Sequence, residues 1–193
     1  MNESSQVGIV ILAAGSSSRL GTPKQLLLYR QVPLLRYIVH EALQSNADSV
    51  TIVLGYQETE IRKIIADLPV RIVLNTHWQE GIASSIRAGV QAVMGRSESM
   101  LILLCDQPSV ERHFINKLID AQNEPKKNII ASRYSNSVGV PALFHKKFFA
   151  ELLSLTGDSG AKRIIEIHAD ELLEVDFPEG KYDIDTVADI VIE

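Results

Sequence analysis

The sequence predicts an α/β fold in which helices cover both faces of a doubly wound, mostly parallel β-sheet. Short apolar segments rich in β-branched residues recur along the chain, as is typical of strands that are buried on both faces. Segments with a helical spacing of apolar residues separate them, and this alternation of strand and helix is typical of doubly wound sheets. With 193 residues, of which 46% are hydrophobic, the chain is long enough to bury a substantial core.

Strand and helix patterns alternate regularly in the first two-thirds of the chain. The first strand, residues 7–12, is too short for a helix and too hydrophobic for an edge strand. Pro33, a residue that suits the first turn of a helix, opens the first helix. The remaining elements predicted in this part are strands at 50–54, 70–74, 100–104 and 128–132, and helices at 33–43, 58–66, 82–94 and 111–121.

The pattern becomes less regular after residue 132. We predict strands at 142–144 and 172–175, helices at 146–153 and 161–168, and a short last helix that opens at 182–186. The sequence contains no repeat, low-complexity segment or linker that would separate these parts. It therefore predicts a single domain over residues 1–193, in which residues 132–179 are a candidate substrate-facing lobe.

The loop after the first strand has the composition of an anion-binding loop. Small residues allow a tight bend there and expose backbone N–H groups that can cradle an anion. These small residues include Ala13, Ala14, Gly15 and Ser16. Arg19 and Lys24 add two positive charges to the same loop. A loop with these features, at the carboxyl end of a parallel strand, is suited to binding a triphosphate.

The spacing within this loop matches neither of the two common phosphate-binding fingerprints. Gly15 and Gly21 are not spaced as in G-x-G-x-x-G, and Lys24 does not directly follow Gly21 as a Walker A lysine would. The loop instead resembles the signature loop of the MobA-like nucleotidyltransferases, and most closely that of the molybdenum cofactor cytidylyltransferases, in the residues Leu12-Ala-Ala-Gly15-Ser-x-Ser-Arg19-x-Gly21-x-Pro-Lys24. This resemblance implies a Rossmann-like fold of the nucleotide-diphospho-sugar transferase type, with Arg19 and Lys24 in nucleotide binding and catalysis.

Two carboxylates are candidate ligands for Mg²⁺. Asp106 lies just beyond the carboxyl end of the predicted strand 100–104 and is expected to face the same crevice as the glycine loop, and Asp185 lies at a similar junction late in the chain. Two carboxylates are enough to hold Mg²⁺ beside a triphosphate, because the ion completes its coordination shell with phosphate oxygens and waters. The resemblance supports both, since Asp106-Gln107-Pro108 matches the family's Asp-x-Pro motif and Asp185-Thr186-Val-Ala-Asp189 its late Asp-Thr motif. Capping a turn or a helix is the alternative role for each aspartate.

A second glycine turn is a candidate part of the nucleotide pocket. Gly81, Ser84 and Ser85 stand at the predicted start of a helix, where backbone N–H groups and hydroxyls would face the base or the ribose. The resemblance implies the same role for this turn. Ordinary helix capping by each of these residues is an equally good interpretation.

The resemblance also points to two segments for the second substrate. These are residues 138–144, with Gly139 and Pro141, and residues 156–162, with Asp158 and Lys162. Their glycines mark tight turns or a close approach of the backbone. Lys162 would supply positive charge for a phosphate, although a solvated surface cation is the alternative.

Composition excludes several classes of function. The chain has 19 basic and 24 acidic residues, a net charge of −5, and no basic run of the kind that tracks a nucleic acid. No apolar run approaches the length of a membrane span, and the first residues do not resemble a signal peptide. The one cysteine, Cys105, follows an apolar strand and is expected to be packed rather than reactive. We expect a cytoplasmic protein without a nucleic-acid or membrane partner.

The resemblance implies a specific reaction, the Mg²⁺-dependent transfer of CMP from CTP to the molybdenum-bearing pterin cofactor, with release of pyrophosphate. It also implies transient contact with a molybdenum hydroxylase or its maturation factor. The alternatives are a guanylyltransferase for the same cofactor, a sugar-phosphate nucleotidyltransferase and a non-catalytic nucleotide-binding module on the same fold. A nicotinamide-dependent oxidoreductase is disfavoured, because the first loop lacks a dinucleotide fingerprint.

Overall fold

A computed structural model of the chain describes residues 6–17, 21–134 and 137–181. Arg19, Asp185 and the predicted last helix at 182–186 lie outside the described residues. Two extended segments, β2 and β3, form a small hairpin before the first α-helix. The elements in chain order are β1 (Val7–Ala13), β2 (Leu28–Tyr29), β3 (Val32–Pro33), α1 (Leu34–Leu43), β4 (Ser49–Leu54), α2 (Glu58–Lys63), β5 (Arg71–Leu74), α3 (Ile82–Val93), β6 (Ser99–Leu104), α4 (Arg112–Ala121), β7 (Ile129–Tyr134), β8 (Ser137–His145), α5 (Phe149–Leu153), α6 (Lys162–Ile167) and β9 (Leu172–Asp176).

The main sheet has seven strands in the order β5-β4-β1-β6-β8-β7-β9. Strand β1 pairs in parallel with both β4 and β6, and β4 pairs in parallel with β5. Among the strands within the described ranges, β8 alone runs against its neighbours in this sheet, since it is antiparallel to both β6 and β7. The predicted mostly parallel α/β sheet is therefore confirmed. Strands β8 and β9, which lie within the candidate lobe at residues 132–179, belong to this same sheet and pair with β7.

One predicted element differs clearly from the structure. The sequence predicts irregular chain before a short strand at 142–144, whereas β8 is a continuous strand over Ser137–His145. Pro141 argues against a strand interior because it has no N–H to donate. Here the register shifts between Ala131 and Ser132 of the neighbouring strand, so that Ser132 pairs with Gly139 and Ala131 with Ala142. Pro141 falls within this irregularity, where the missing donor interrupts no regular pair.

The core lies in two layers, one on each face of the sheet. Successive residues of β1 alternate between them, with Ile9 and Ile11 in one layer and Val10 and Leu12 in the other. Residues of α1, α2 and α4 complete the first layer, and residues of α3, α5 and α6 complete the second. Helices on both faces thus bury the central strands completely. None of the helices within the described ranges has both the length and the apolar character needed to span a bilayer.

The close packing of α3 on β1 gives a testable prediction for Gly89. A Cβ atom added at this glycine would lie 2.5 Å from Cγ1 of Val10, which is closer than side chains tolerate. We expect Gly89→Ala to lower the free energy of unfolding by about 1–2 kcal/mol, because overpacking outweighs the better helix propensity of alanine. Urea unfolding measures this change.

Gly160→Ala is the matched control, because a Cβ there would meet nothing within 4 Å. Its free energy of unfolding should stay within about 0.5 kcal/mol of the wild-type value. Equal losses in the two variants would contradict the close approach of α3 to the sheet.

Candidate active site

A cavity of about 400 Å³ opens at the carboxyl ends of β1 and β6. Because these strands are parallel neighbours, the loops that follow them meet at one edge of the sheet. The cavity is lined by residues 12–17 after β1, by Lys24 and Gln25, by residues between 78 and 85 around the start of α3, and by residues 104–106 after β6. The predicted site residues Ala13, Ala14, Gly15, Ser16, Lys24, Gly81, Ser85 and Asp106 all line it.

An ion pair joins two of the predicted catalytic residues across this cavity. Nζ of Lys24 donates a hydrogen bond to Oδ2 of Asp106 over 3.0 Å. Their side chains are only 14% and 24% exposed, so the pair is partly withdrawn from water. The lysine comes from a short 3₁₀ turn, Lys24–Leu26, and the aspartate from the loop after β6. The fold therefore places a cation and a carboxylate together at the strand ends.

The second oxygen of Asp106 indicates how the carboxylate could hold a metal ion. Oδ1 is buried and finds no hydrogen-bond partner among the residues that the structure describes, although Oδ2 accepts a hydrogen bond from Lys24. A buried carboxylate oxygen without a donor is costly, and a cation is a suitable partner for it. The described part of the chain contains no cluster of three or more His, Cys, Asp or Glu side chains that could form a metal site alone. Asp106 therefore fits a cation whose other ligands come largely from phosphates and water.

The loop after β1 presents its backbone to the cavity. The carbonyl of Ala14 accepts a hydrogen bond from the N–H of Tyr56 over 3.0 Å, and the amide of Gln25 donates to the carbonyls of Ala13 and Gly15. Within the described ranges, the N–H groups of residues 15–17 donate no hydrogen bond. A Cβ atom on Gly15 would meet nothing within 4 Å, so the space above the loop is open. The loop can therefore offer several N–H groups to an anion.

Ser84 and Ser85, in the first turn of α3, differ in what they contact. Gly81 has a φ of +99°, and a Cβ there would lie 2.5 Å from the carbonyl oxygen of Gly157, so only glycine fits. The hydroxyl of Ser84 donates to the carbonyl of Gly81 over 2.8 Å, which is a helix-end contact, and Ser84 does not line the cavity. The hydroxyl of Ser85 lines the cavity and accepts a hydrogen bond from the amide of Asn75 over 3.0 Å. Its own proton can therefore be donated to a ligand.

The four residues predicted for the second substrate lie outside the lining of this cavity. Gly139 and Pro141 belong to β8, and Nζ of Lys162 donates to the hydroxyl of Ser137 over 2.9 Å. Asp158 is closest to the site, since its Oδ1 would lie 2.5 Å from a Cβ on Gly81. The structure thus places the exposed Asp158 next to Gly81, which lines the cavity.

Several residues of the cavity wall were not predicted from the sequence as site residues. The most prominent is Trp78, whose ring packs edge-to-face against Tyr56 with centroids 5.5 Å apart. Ser17, Gln25 and Gln79 are polar additions to the lining. An aromatic residue three positions before a glycine turn was the only available signal for Trp78. Its ring gives the cavity an apolar side against which a flat base could pack.

Cys105 is packed, as the sequence predicts, although it borders the cavity. The residue is 7% exposed and forms no disulfide. Burial, followed by the neighbouring charge of Asp106, raises the pKa of the Cys105 thiol well above its usual range. A thiol in this state is a poor nucleophile, because the thiolate is the reactive form.

Comparison with known proteins identifies related sequences along most of the chain. A family model described as MobA-like NTP transferase domain matches residues 9–173. Molybdenum cofactor cytidylyltransferase of Escherichia coli K12 is 24% identical over 188 residues, which cover 97% of this chain and 95% of that protein. Nicotine blue oxidoreductase of Paenarthrobacter nicotinovorans is 35% identical over 111 residues. That match covers 57% of this chain and only about half, 54%, of the relative's length.

Solved structures with the same fold include a mycobacterial protein. Rv0371c of Mycobacterium tuberculosis H37Rv superimposes with a TM-score of 0.84 at 33% identity, covering 96% of this chain and 95% of that one. A second structure of that protein, described as a complex with manganese, has a TM-score of 0.78 at 30% identity and covers 95% of each chain.

The burial of Cys105 predicts that the native thiol resists alkylation. We expect iodoacetamide at pH 8 to modify the folded protein at least about 100-fold more slowly than the urea-unfolded chain, because the raised pKa leaves almost no thiolate. Mass spectrometry of timed samples measures the rate. Labelling of the folded protein at the rate of the unfolded chain would contradict this assignment.

Proposed function

Because the chain belongs to the family of MobA-like NTP transferase domains and is a nucleotidyltransferase, we propose that it transfers CMP from CTP to the molybdenum-bearing pterin cofactor with release of pyrophosphate. The observation that carries this proposal is the Lys24–Asp106 pair beside the open N–H groups of the loop after β1. The near full-length match to the Escherichia coli cytidylyltransferase supports the choice of nucleotide and acceptor.

The reaction needs alignment and charge neutralisation more than a general base. An oxygen of the acceptor phosphate, which is already anionic, attacks the α-phosphorus of CTP. The bond between the α-phosphorus and the bridging oxygen breaks, and pyrophosphate leaves with that electron pair. Lys24 and Arg19, together with the N–H groups of the loop, stabilise the charge that develops on the leaving oxygen.

Asp106 would hold a divalent cation in this proposal, with Asp185 as its second carboxylate. The cation would be Mg²⁺, which when bound neutralises negative charge on the triphosphate oxygens. The unpartnered Oδ1 of Asp106 supports this role. A solved mycobacterial relative in complex with manganese also supports the use of a divalent metal.

The base would lie between the loop after β1 and the turn before α3. Ala13 and Ala14 leave little side-chain bulk on one side, and Ser85 can donate a hydrogen bond on the other. Gly81 and the N–H groups near Gly15 and Ser16 complete the proposed nucleotide pocket, whereas Ser84, also expected there from the sequence, caps the helix and does not line the cavity. A close-fitting pocket of this kind favours a single-ring base over a purine.

The second substrate is proposed to approach from the side of β8 and the loop before α6. Gly139, Pro141, Asp158 and Lys162 remain the candidate contacts on that side. The product would pass by transient contact to a molybdenum hydroxylase or its maturation factor.

The role of Asp106 gives a direct prediction. Asp106→Asn should reduce kcat for pyrophosphate release by at least about 100-fold while the protein stays folded, because the amide is a poor ligand for Mg²⁺ and no longer pairs with Lys24. Pyrophosphate release with CTP, Mg²⁺ and the molybdenum-bearing pterin measures the rate. Asp120→Asn, an exposed change on α4, is the control and should keep the wild-type rate. Wild-type turnover by Asp106→Asn at limiting Mg²⁺ would rule out the metal role.

Base selectivity is tested with the same assay. We expect CTP to be used at least about tenfold better than GTP, a difference of roughly 1.4 kcal/mol that one well-placed hydrogen bond can supply. The four nucleoside triphosphates are compared by kcat/KM for pyrophosphate release. Preference for GTP would make the protein a guanylyltransferase. Nucleotide binding without release of pyrophosphate in any combination would favour a non-catalytic module.

A further inference from the structure

Gln25 lies directly beneath the loop after β1. The residue follows Lys24 in the same short 3₁₀ turn and is 1% exposed. Its Nε2 donates to the carbonyl of Ala13 over 2.8 Å and to the carbonyl of Gly15 over 3.1 Å. One buried side chain therefore joins the last residue of β1 to the glycine of the loop.

The orientation of this amide is fixed by its partners. Backbone carbonyls only accept hydrogen bonds, so the nitrogen of Gln25 must face Ala13 and Gly15, and Oε1 must point away from them. Oε1 is buried, and within the described ranges it has no hydrogen-bond partner. Leaving such an acceptor unsatisfied is unfavourable for stability. Gln25 therefore makes its two hydrogen bonds to the loop but leaves Oε1 buried and unsatisfied. An apolar side chain would avoid that unfavourable contribution to stability.

The loop depends on such contacts because regular pairing ends with β1. Ser17 has a left-handed φ of +51°, a conformation that non-glycine residues rarely adopt and that neighbouring contacts must hold. The hydroxyl of Ser17 accepts a hydrogen bond from the N–H of Lys24 over 3.1 Å. Two contacts therefore join the turn that carries Lys24 to the loop. The side chain of Gln25 binds the carbonyls of Ala13 and Gly15, and the backbone N–H of Lys24 binds the hydroxyl of Ser17.

We propose that Gln25 is a positioning residue, which holds the loop N–H groups and the Lys24 ammonium in the arrangement that receives a triphosphate. The proposal rests on the proposed function, because it assumes that this cavity binds the phosphates of a nucleotide. Gln25 acts through its two hydrogen bonds to the loop carbonyls of Ala13 and Gly15.

The first test measures the affinity for inorganic tripolyphosphate by titration calorimetry. Gln25→Met preserves the length of the side chain but removes both hydrogen bonds, and we expect it to bind tripolyphosphate at least about tenfold more weakly than the wild type. Its melting temperature should change little, because removal of the unsatisfied Oε1 offsets the lost bonds. Gln122→Met is the matched control, since Gln122 at the end of α4 also has a buried, unpartnered Oε1. That variant should bind tripolyphosphate as the wild type does.

The second test uses the pH dependence of Gln25→Glu. An ionised glutamate cannot donate to the two carbonyls, whereas a protonated one can donate to one of them. Burial raises the pKa of such a carboxyl group, so part of it is protonated in mildly acidic solution. We expect the affinity of Gln25→Glu, divided by that of the wild type at the same pH, to rise at least about threefold from pH 8 to pH 5.5. The ionised carboxylate also repels the polyanion, so the uncharged Gln25→Met is measured beside it, and its affinity relative to the wild type should stay low and constant between pH 8 and pH 5.5.

The outcomes separate the two proposals. Equal binding of tripolyphosphate by the wild type and Gln25→Met would overturn the positioning role and leave the proposed function standing. A ratio for Gln25→Glu that does not change with pH would also overturn the positioning role. If the wild type binds neither tripolyphosphate nor CTP, the proposed function is overturned, and the positioning role with it.

Discussion

The parallel pairing of β1 with β6 brings together Lys24 and Asp106, the two candidate catalytic residues within the described ranges. Leu12 pairs with Leu104 at the ends of these strands, so the chain leaves both strands at the same level of the sheet. The loop that follows β1 and the carboxylate of Asp106 therefore meet, and Lys24 reaches Asp106 although 82 positions separate them in the sequence. Complete burial of β1 between two core layers keeps these strand ends in place. A small slip of one strand along the other would separate the ion pair.

Much of the fold and part of the site follow from local sequence patterns. Short apolar strands and amphipathic helices predict the parallel half of the sheet, because the spacing of apolar residues in each element shows which of its faces are buried. Asp106 and the small residues after β1 are predictable for a related reason, since strand ends in parallel sheets converge. The length of β8 is not predictable in this way, because the effect of Pro141 depends on a register shift in the neighbouring strand. Local sequence likewise does not tell which of Ser84 and Ser85 faces the cavity, because Asn75 and Gly81 decide that in three dimensions.

The electrostatics of the cavity differ from those of the whole chain. The net charge is −5, yet the described loop offers backbone N–H groups and a lysine to a ligand that is itself strongly negative. The partly buried position of Lys24 and Asp106 keeps their interaction from being fully screened by solvent. Attraction of a triphosphate therefore depends on short-range, oriented groups rather than on the overall charge of the protein.

The central position of β1 has a consequence for synthesis of the protein on the ribosome. This strand is made before the other described strands of the sheet, but one of its two partners, β6, begins at Ser99, roughly 90 residues later. At typical elongation rates of about 5–20 residues per second, one edge of β1 lacks its final neighbour for roughly 5–20 s. Its apolar side chains and free backbone groups are exposed to other chains during that interval. Codon choices or chaperones that act on the nascent chain before residue 104 emerges would therefore affect the yield of folded protein more than those acting later.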